Sequence, residues 1–120
     1  MFYIIIAGDK MLKLDLEYHQ QIFIIRLKGS LKKNKTFKIY NYIIPVLEKH
    51  KIKKVIINMK ELTEVDESGI DAILKIKCIL RRNGGKIILC ELNKKFNSLF
   101  KRLHLLSLSE EKLALKMIEV

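Results

Sequence analysis

VIINMKELTEVDESGIDAIL, residues 55–74, changes its hydrophobic period halfway along. Val55-Ile56-Ile57 is continuously apolar, the pattern of a strand covered on both faces. From Ile70 onward the apolar residues recur at helical spacing. Met59 to Glu64 reads as a loop, with Leu62 and Val65 as buried anchors. Between loop and helix stands Asp66-Glu67-Ser68-Gly69. The first N–H groups of a helix have no intrahelical partner and carry partial positive charge. A phosphoryl group on Ser68 could be held by them, while Asp66 and Glu67 beside it would repel it. Ser68 thus has two readings, a helix cap or the acceptor of an electrostatic switch. Asp66 also has two: it holds loop N–H groups, or it orients the serine or a partner's nucleotide.

The flanking segments complete an alternation of strands and helices. Leu12, Leu14 and Leu16 alternate with Lys13, Asp15 and Glu17, as in a half-buried strand. Ile22 to Leu27 is more continuously apolar and reads as a central strand, joined to the first by a tight turn at His19-Gln20-Gln21 and ended by Gly29. Thr36 to Lys49 has Phe37, Tyr40, Ile44 and Leu47 on one helical face. Pro45 lies inside it and would cost about 3 kcal/mol in a regular helix. A kink or break is therefore expected near Asn41–Ile44.

The second helix should run from Ser68 to Asn83, burying Ala72, Ile73, Ile76, Ile79 and Leu80, and stop at Gly84-Gly85. Lys86 to Leu92 reads as a strand and Lys94 to Leu103 as a helix capped by Asn93. Leu105–Leu108 suggests a short edge strand. Ser109 would cap a last helix burying Leu113, Ala114, Met117 and Ile118. The result is an α/β fold: a mixed sheet of four or five strands with about four helices, mainly on one face.

At 120 residues the chain suits one domain, expected over 12–120. Residues 1–11 read as an extension, native or preceding a start at Met11, and not necessarily ordered. No apolar run reaches the roughly 20 residues of a membrane helix. The apolar opening lacks the basic flank of a signal peptide. Cys78 and Cys90 lack paired spacing, and His19, His50 and His104 are scattered, so no metal site is expected. Two reduced thiols fit the cytoplasm.

The net charge of +11 is spread over pairs such as Lys32-Lys33 and Arg81-Arg82. No aromatic residues interleave with it as base-stacking requires, so no specific nucleic acid is expected. Asp66, Glu67 and Asp71 lie on a surface turn, not in a cleft, and Ser68 has no nucleophile motif. No catalytic residue and no cofactor is assigned.

Lys54 to Gly69 resembles the core signature of STAS domains, the anti-sigma-factor antagonist fold. That signature is a strand, an aspartate, hydroxyl residues, a glycine and an amphipathic helix. Here it reads Asp66-Glu67-Ser68-Gly69, and the order of elements agrees over about residues 12–118. Gly29-Ser30-Leu31 also fits the pattern. Three positions depart from it: Lys32 stands where the family has an aspartate, Glu67 where a second hydroxyl is common, and His104 where a glycine is usual.

The resemblance implies a cytoplasmic, non-enzymatic anti-sigma factor antagonist, a monomer or weak dimer. Unphosphorylated, it would bind an anti-sigma factor serine kinase and free a sigma factor. Phosphorylation of Ser68 would end that binding, and a phosphatase would reset it. The partner-binding residues implied are Asp66, Glu67, Ser68, Gly69, Ser30, Lys32 and Asp71. Lys32, Glu67 and the basic surface favour a second reading, a STAS adaptor or structural subunit of a transporter or signalling complex that is not phosphorylated.

Overall fold

A computed structural model describes residues 2–7 and 12–119. Its centre is one six-stranded sheet whose strands lie side by side in chain order. They are β1 Phe2–Ala7, β2 Leu12–His19, β3 Ile22–Leu31, β4 Lys54–Val65, β5 Lys86–Cys90 and β6 Ser107–Leu108. β1, β2 and β3 pair antiparallel, whereas β3, β4, β5 and β6 pair parallel. Strands β2 to β6 are the mixed five-stranded sheet expected of residues 12–120, and β1 adds a sixth. Of the expected extension 1–11, residues 2–7 form β1, and Met1 and 8–11 lie outside the described residues. Gln20 and Gln21, both at positive φ, make the two-residue hairpin turn between β2 and β3.

The parallel pairs require crossovers, and helices supply them. The first begins with a π turn, Ile39–Ile43, and continues as α1, Ile44–Lys49. The irregularity expected before Pro45 is this π turn. Ile44 donates its N–H to Ile39 O, five residues back, and the adjacent proline has no N–H to leave unpaired. The extra residue also rotates the buried face. Ile39, Ile43, Ile44 and Leu47 are buried, while Phe37 and Tyr40, expected inward, are exposed.

α2, Glu67–Arg82, buries all five residues expected of it. Asn83 and Gly84 close its end, and Gly85 lies so close to Lys53 that a Cβ would fall 2.2 Å from the Lys53 carbonyl oxygen. Asn93 caps the next helical segment by accepting from Lys95 N. That segment is not the single helix expected over 94–103. It is a short α3, Asn97–Phe100, between 3₁₀ turns at Lys94–Phe96 and Lys101–Leu103. Of the four residues spaced to face inward, Phe96, Phe100 and Leu103 are buried and Leu99 is half-buried. His104 follows at φ 52°, a left-handed conformation that glycine adopts freely.

α4, Glu111–Ile118, starts after Glu110 with no side-chain cap, so Ser109 does not cap it. It buries Ala114 and Ile118, and leaves Leu113 and Met117 exposed. α1, α2 and α3 pack on one sheet face over the main core, which includes Leu14, Ile25, Ile57 and Ile73. Among the described residues α4 alone covers the other face, over Ile24, Ile56, Ile88 and Cys90.

Two strands are longer than expected. β3 does not end at Gly29; the glycine sits within it at φ 99° beside a register shift. Met59–Glu64 is not a loop but the second half of β4. The cause is mutual: Lys28 to Leu31 lies alongside Glu61 to Val65, and each stretch satisfies the other's backbone groups. Met59 and Leu62 point into the core from it.

Candidate functional site

The extended β3–β4 pair ends with Leu31 beside Val65. The loop after β3 and the start of α2 therefore leave the sheet together. Asp66 joins them. Its backbone is extended (φ −120°, ψ −174°), as at an N-cap. Its Oδ1 accepts from Gly69 N at 3.0 Å and its Oδ2 from Lys33 N at 3.1 Å. Its own N–H donates to Leu31 O at 3.4 Å. Desolvation pushes the Asp66 carboxyl up, but the N–H groups of Gly69, Lys33 and Ser68 outweigh it and hold the carboxyl below its ordinary value.

The cap of α2 is thus Asp66 and not Ser68, and of the two readings of Asp66 the geometry realises the holding of loop N–H groups. Ser68 lies within the first turn, half-buried, and its hydroxyl has no part in the cap. Gly69 is required by contact. A Cβ there would lie 2.4 Å from Leu31 O and 2.7 Å from Val65 Cγ2.

Glu67 is exposed, and its carboxylate accepts from the Arg102 guanidinium after α3. Its charge is therefore matched. Lys32 reaches Glu64 at 2.5 Å, so the reversed charge also has an acidic partner, one residue before Val65. Asp71 is exposed one turn along α2. Ser30 differs from the rest: it is 2 % exposed, and among the described residues its hydroxyl has no hydrogen-bond partner. Asp66, Glu67, Ser68, Gly69 and Lys32 thus come together at one end of the sheet, with Asp71 alongside and Ser30 beneath.

A second polar cluster escaped the sequence reading. Arg26, mid-β3 on the α4 face, donates two hydrogen bonds to Glu111 at 3.0 and 2.9 Å and one to Glu17 at 3.0 Å. It also lies 3.5 Å from Asp15. Asn58 Nδ2 donates to Glu111 and to Glu91, both at 3.0 Å. Burial pushes the Glu111 carboxyl up, yet Arg26 and Asn58 outweigh it and keep it below its ordinary value. Burial, with Glu111 and Glu91 nearby, pushes the Cys90 thiol up to about 12, so it stays protonated. The signal in the sequence was the alternation Asp15, Glu17 opposite Arg26 across the hairpin, which becomes legible once the β2–β3 register is known.

A cavity of about 360 Å³ lined by Tyr18, Phe23, Val46, His50 and Ile52 lies at the opposite end of the sheet from Asp66. Among the described residues no three or more His, Cys, Asp or Glu gather as a metal site would require. No helix among them is long and apolar enough to cross a membrane.

The molecule is thus an α/β domain presenting a carboxylate-capped helix start beside the end of its central parallel strands. The STAS domain family model matches residues 13–117, and the chain belongs to that family. It is similar to an anti-sigma F factor antagonist of Paenibacillus polymyxa, 23% identical over 82 residues, which are 68% of this chain and 70% of that protein. Its fold matches the anti-sigma factor antagonist SpoIIAA in its unphosphorylated form, with a TM-score of 0.75 at 21% identity, covering 88% of this chain and 97% of that one. It also matches the Bacillus cell fate determinant SpoIIAA in the phosphorylated form, with a TM-score of 0.74 at 22% identity, over 88% and 98% of the two chains.

Proposed function

We propose that this STAS domain is an anti-sigma factor antagonist whose binding is switched at Ser68. Unphosphorylated, it engages an anti-sigma factor kinase through the start of α2 and the loop after β3, and a sigma factor is released. The kinase then transfers the γ-phosphoryl group of ATP to the Ser68 oxygen. The hydroxyl proton is lost, ADP leaves, and binding ends until a phosphatase hydrolyses the ester. The cycle belongs in the cytoplasm, where ATP and sigma factors are. The domain itself is the substrate of that chemistry and contributes no catalytic residue.

One observation carries this reading. Asp66 supplies the cap of α2, which leaves the Ser68 hydroxyl uncommitted in the first turn of the helix. A phosphoryl group adds a charge of about −1.5 to −2. At Ser68 it would compete with Asp66 for the first-turn N–H groups and with Glu67 for Arg102. Both contacts fasten α2 to a neighbouring segment, so the surface a partner meets changes in charge and in shape. Glu67, matched by Arg102, is not a standing mimic of the phosphate.

The test is the intact mass of the protein from its own cells, with fragment mapping. One phosphoryl group at Ser68 is expected. Its absence under several growth conditions would favour the unphosphorylated adaptor. Ser68→Asp should in addition abolish binding to the anti-sigma factor in a titration while the variant stays folded.

A further inference from the structure

The sheet has two outer edges, and they differ. β6 is two residues long. β1 has six, Phe2–Ala7, with an unbroken register from Phe2 opposite Tyr18 to Ala7 opposite Lys13. Among the described residues no strand pairs with its other side. A strand in an antiparallel ladder turns alternate N–H and C=O groups to each side, so the outer side of β1 offers a row of backbone donors and acceptors. Natural edge strands are usually blunted by charge, proline, a bulge or shortness. Phe2-Tyr3-Ile4-Ile5-Ile6-Ala7 has no charge and no proline, and its aromatic and β-branched residues favour extended backbone.

We propose that β1 is the docking edge for a second copy of this chain, with two β1 strands pairing antiparallel about a twofold axis and joining the two sheets into one. An antiparallel pairing of identical strands is its own complement and consumes both edges, so the assembly closes at two. Head-to-tail growth through β6 is blocked by its two-residue length. The net charge of +11 on each copy opposes association, and the contact falls on a segment that carries none of it. The dimer should therefore strengthen as salt screens the repulsion, the reverse of a contact held by ion pairs.

Sedimentation equilibrium of the full chain over a concentration series tests this. The mass should move from 14.1 kDa towards twice that value, and further at higher salt. Ile4→Lys and Ile5→Lys each put like charges on both copies close to the twofold axis and should each raise the dissociation constant at least about tenfold, or 1.4 kcal/mol. Should a variant lose its circular dichroism spectrum, hydrogen exchange on the unaltered chain decides: β1 amides gain protection with concentration, and α2 amides do not. A single monomer mass up to about millimolar, a dimer indifferent to folded lysine variants, or one weakened by salt would overturn the proposal.

Discussion

The start of α2 and the Arg26 cluster are both built on carboxylates, yet they are held by different groups. At α2 the Asp66 carboxylate is held by backbone N–H groups of two segments, Gly69 and Lys33. Around Arg26 the carboxylates of Glu111, Glu17 and Asp15 are held by one guanidinium. Backbone donors survive any substitution except proline, so the α2 start does not rest on any one partner side chain. The Arg26 cluster depends on a single side chain linking β2, β3 and α4. The first arrangement suits a site that must be altered and restored, the second a clamp.

Removing the guanidinium is the largest break in that contrast. Arg26→Ala leaves Asp15, 3 % exposed, and Glu111 facing each other without their shared cation. An uncompensated, partly buried charge costs several kcal/mol, and about 3 kcal/mol is expected because Arg26 keeps some solvent and Lys28 still reaches Asp15 at 3.4 Å. Urea unfolding measures it. A loss under about 1 kcal/mol would make the cluster a solvated surface network instead of a clamp.

Gly69→Ala follows. Alanine favours a helix over glycine by about 1 kcal/mol, but its Cβ would meet the Leu31 carbonyl oxygen at 2.4 Å. Overpacking against backbone costs about 1–3 kcal/mol or more, so a net loss of about 2 kcal/mol is expected in the same assay. A stabilised variant would mean that the β3–β4 end gives way, and that the α2 start is softer than its hydrogen bonds suggest.

Parts of both regions were legible in the sequence and parts were not, for physical reasons. α2 was legible because its five inward residues follow one helical arc over a plain sheet face. The second half of β4 was hidden, since Lys60, Glu61, Thr63 and Glu64 read as loop until β3 supplies a strand beside them. The buried face of the α1 region was misplaced because a π turn adds a residue that no periodicity counts. Lys38, of a residue type rarely buried, is buried, with its ammonium donating to Leu12 O at 2.5 Å. Arg26 gathers partners from two other chain segments, β2 and α4, which is tertiary information. At the α2 start, Ser68 was the candidate for the cap and Asp66 a residue holding loop N–H groups. Only the extended backbone at Asp66 and the hydrogen bond from Gly69 show that the cap is Asp66.

Acid sharpens the comparison further, because both regions hold a carboxyl below its ordinary value. The folded chain then protonates Asp66 and Glu111 at lower pH than the unfolded chain does. Their contribution is fully present above the ordinary carboxylate range near pH 4 and is lost as pH falls through the depressed values. The urea midpoint should accordingly fall between about pH 5 and pH 2. Asp66→Ala removes one of the two groups. It should lose about 1–2 kcal/mol at pH 7 and show a shallower acid dependence than the parent chain. An unchanged pH slope would mean that the Asp66 hydrogen bonds are as well made by water in the unfolded chain.

Ser68→Ala should have the smallest effect and discriminates most finely. A serine that capped α2 would cost about 1 kcal/mol on replacement. Here Asp66 holds that place, alanine is the better helix former, and the change should fall within about 0.5 kcal/mol of zero. A loss of 1 kcal/mol or more in urea would mean that the hydroxyl is already committed to the fold. Phosphorylation would then have to break a stabilising contact as well as add charge. A null effect on stability, in a variant that still binds the anti-sigma factor but is no longer released by kinase and ATP, would separate the two properties of this residue: structurally dispensable, and decisive for the switch.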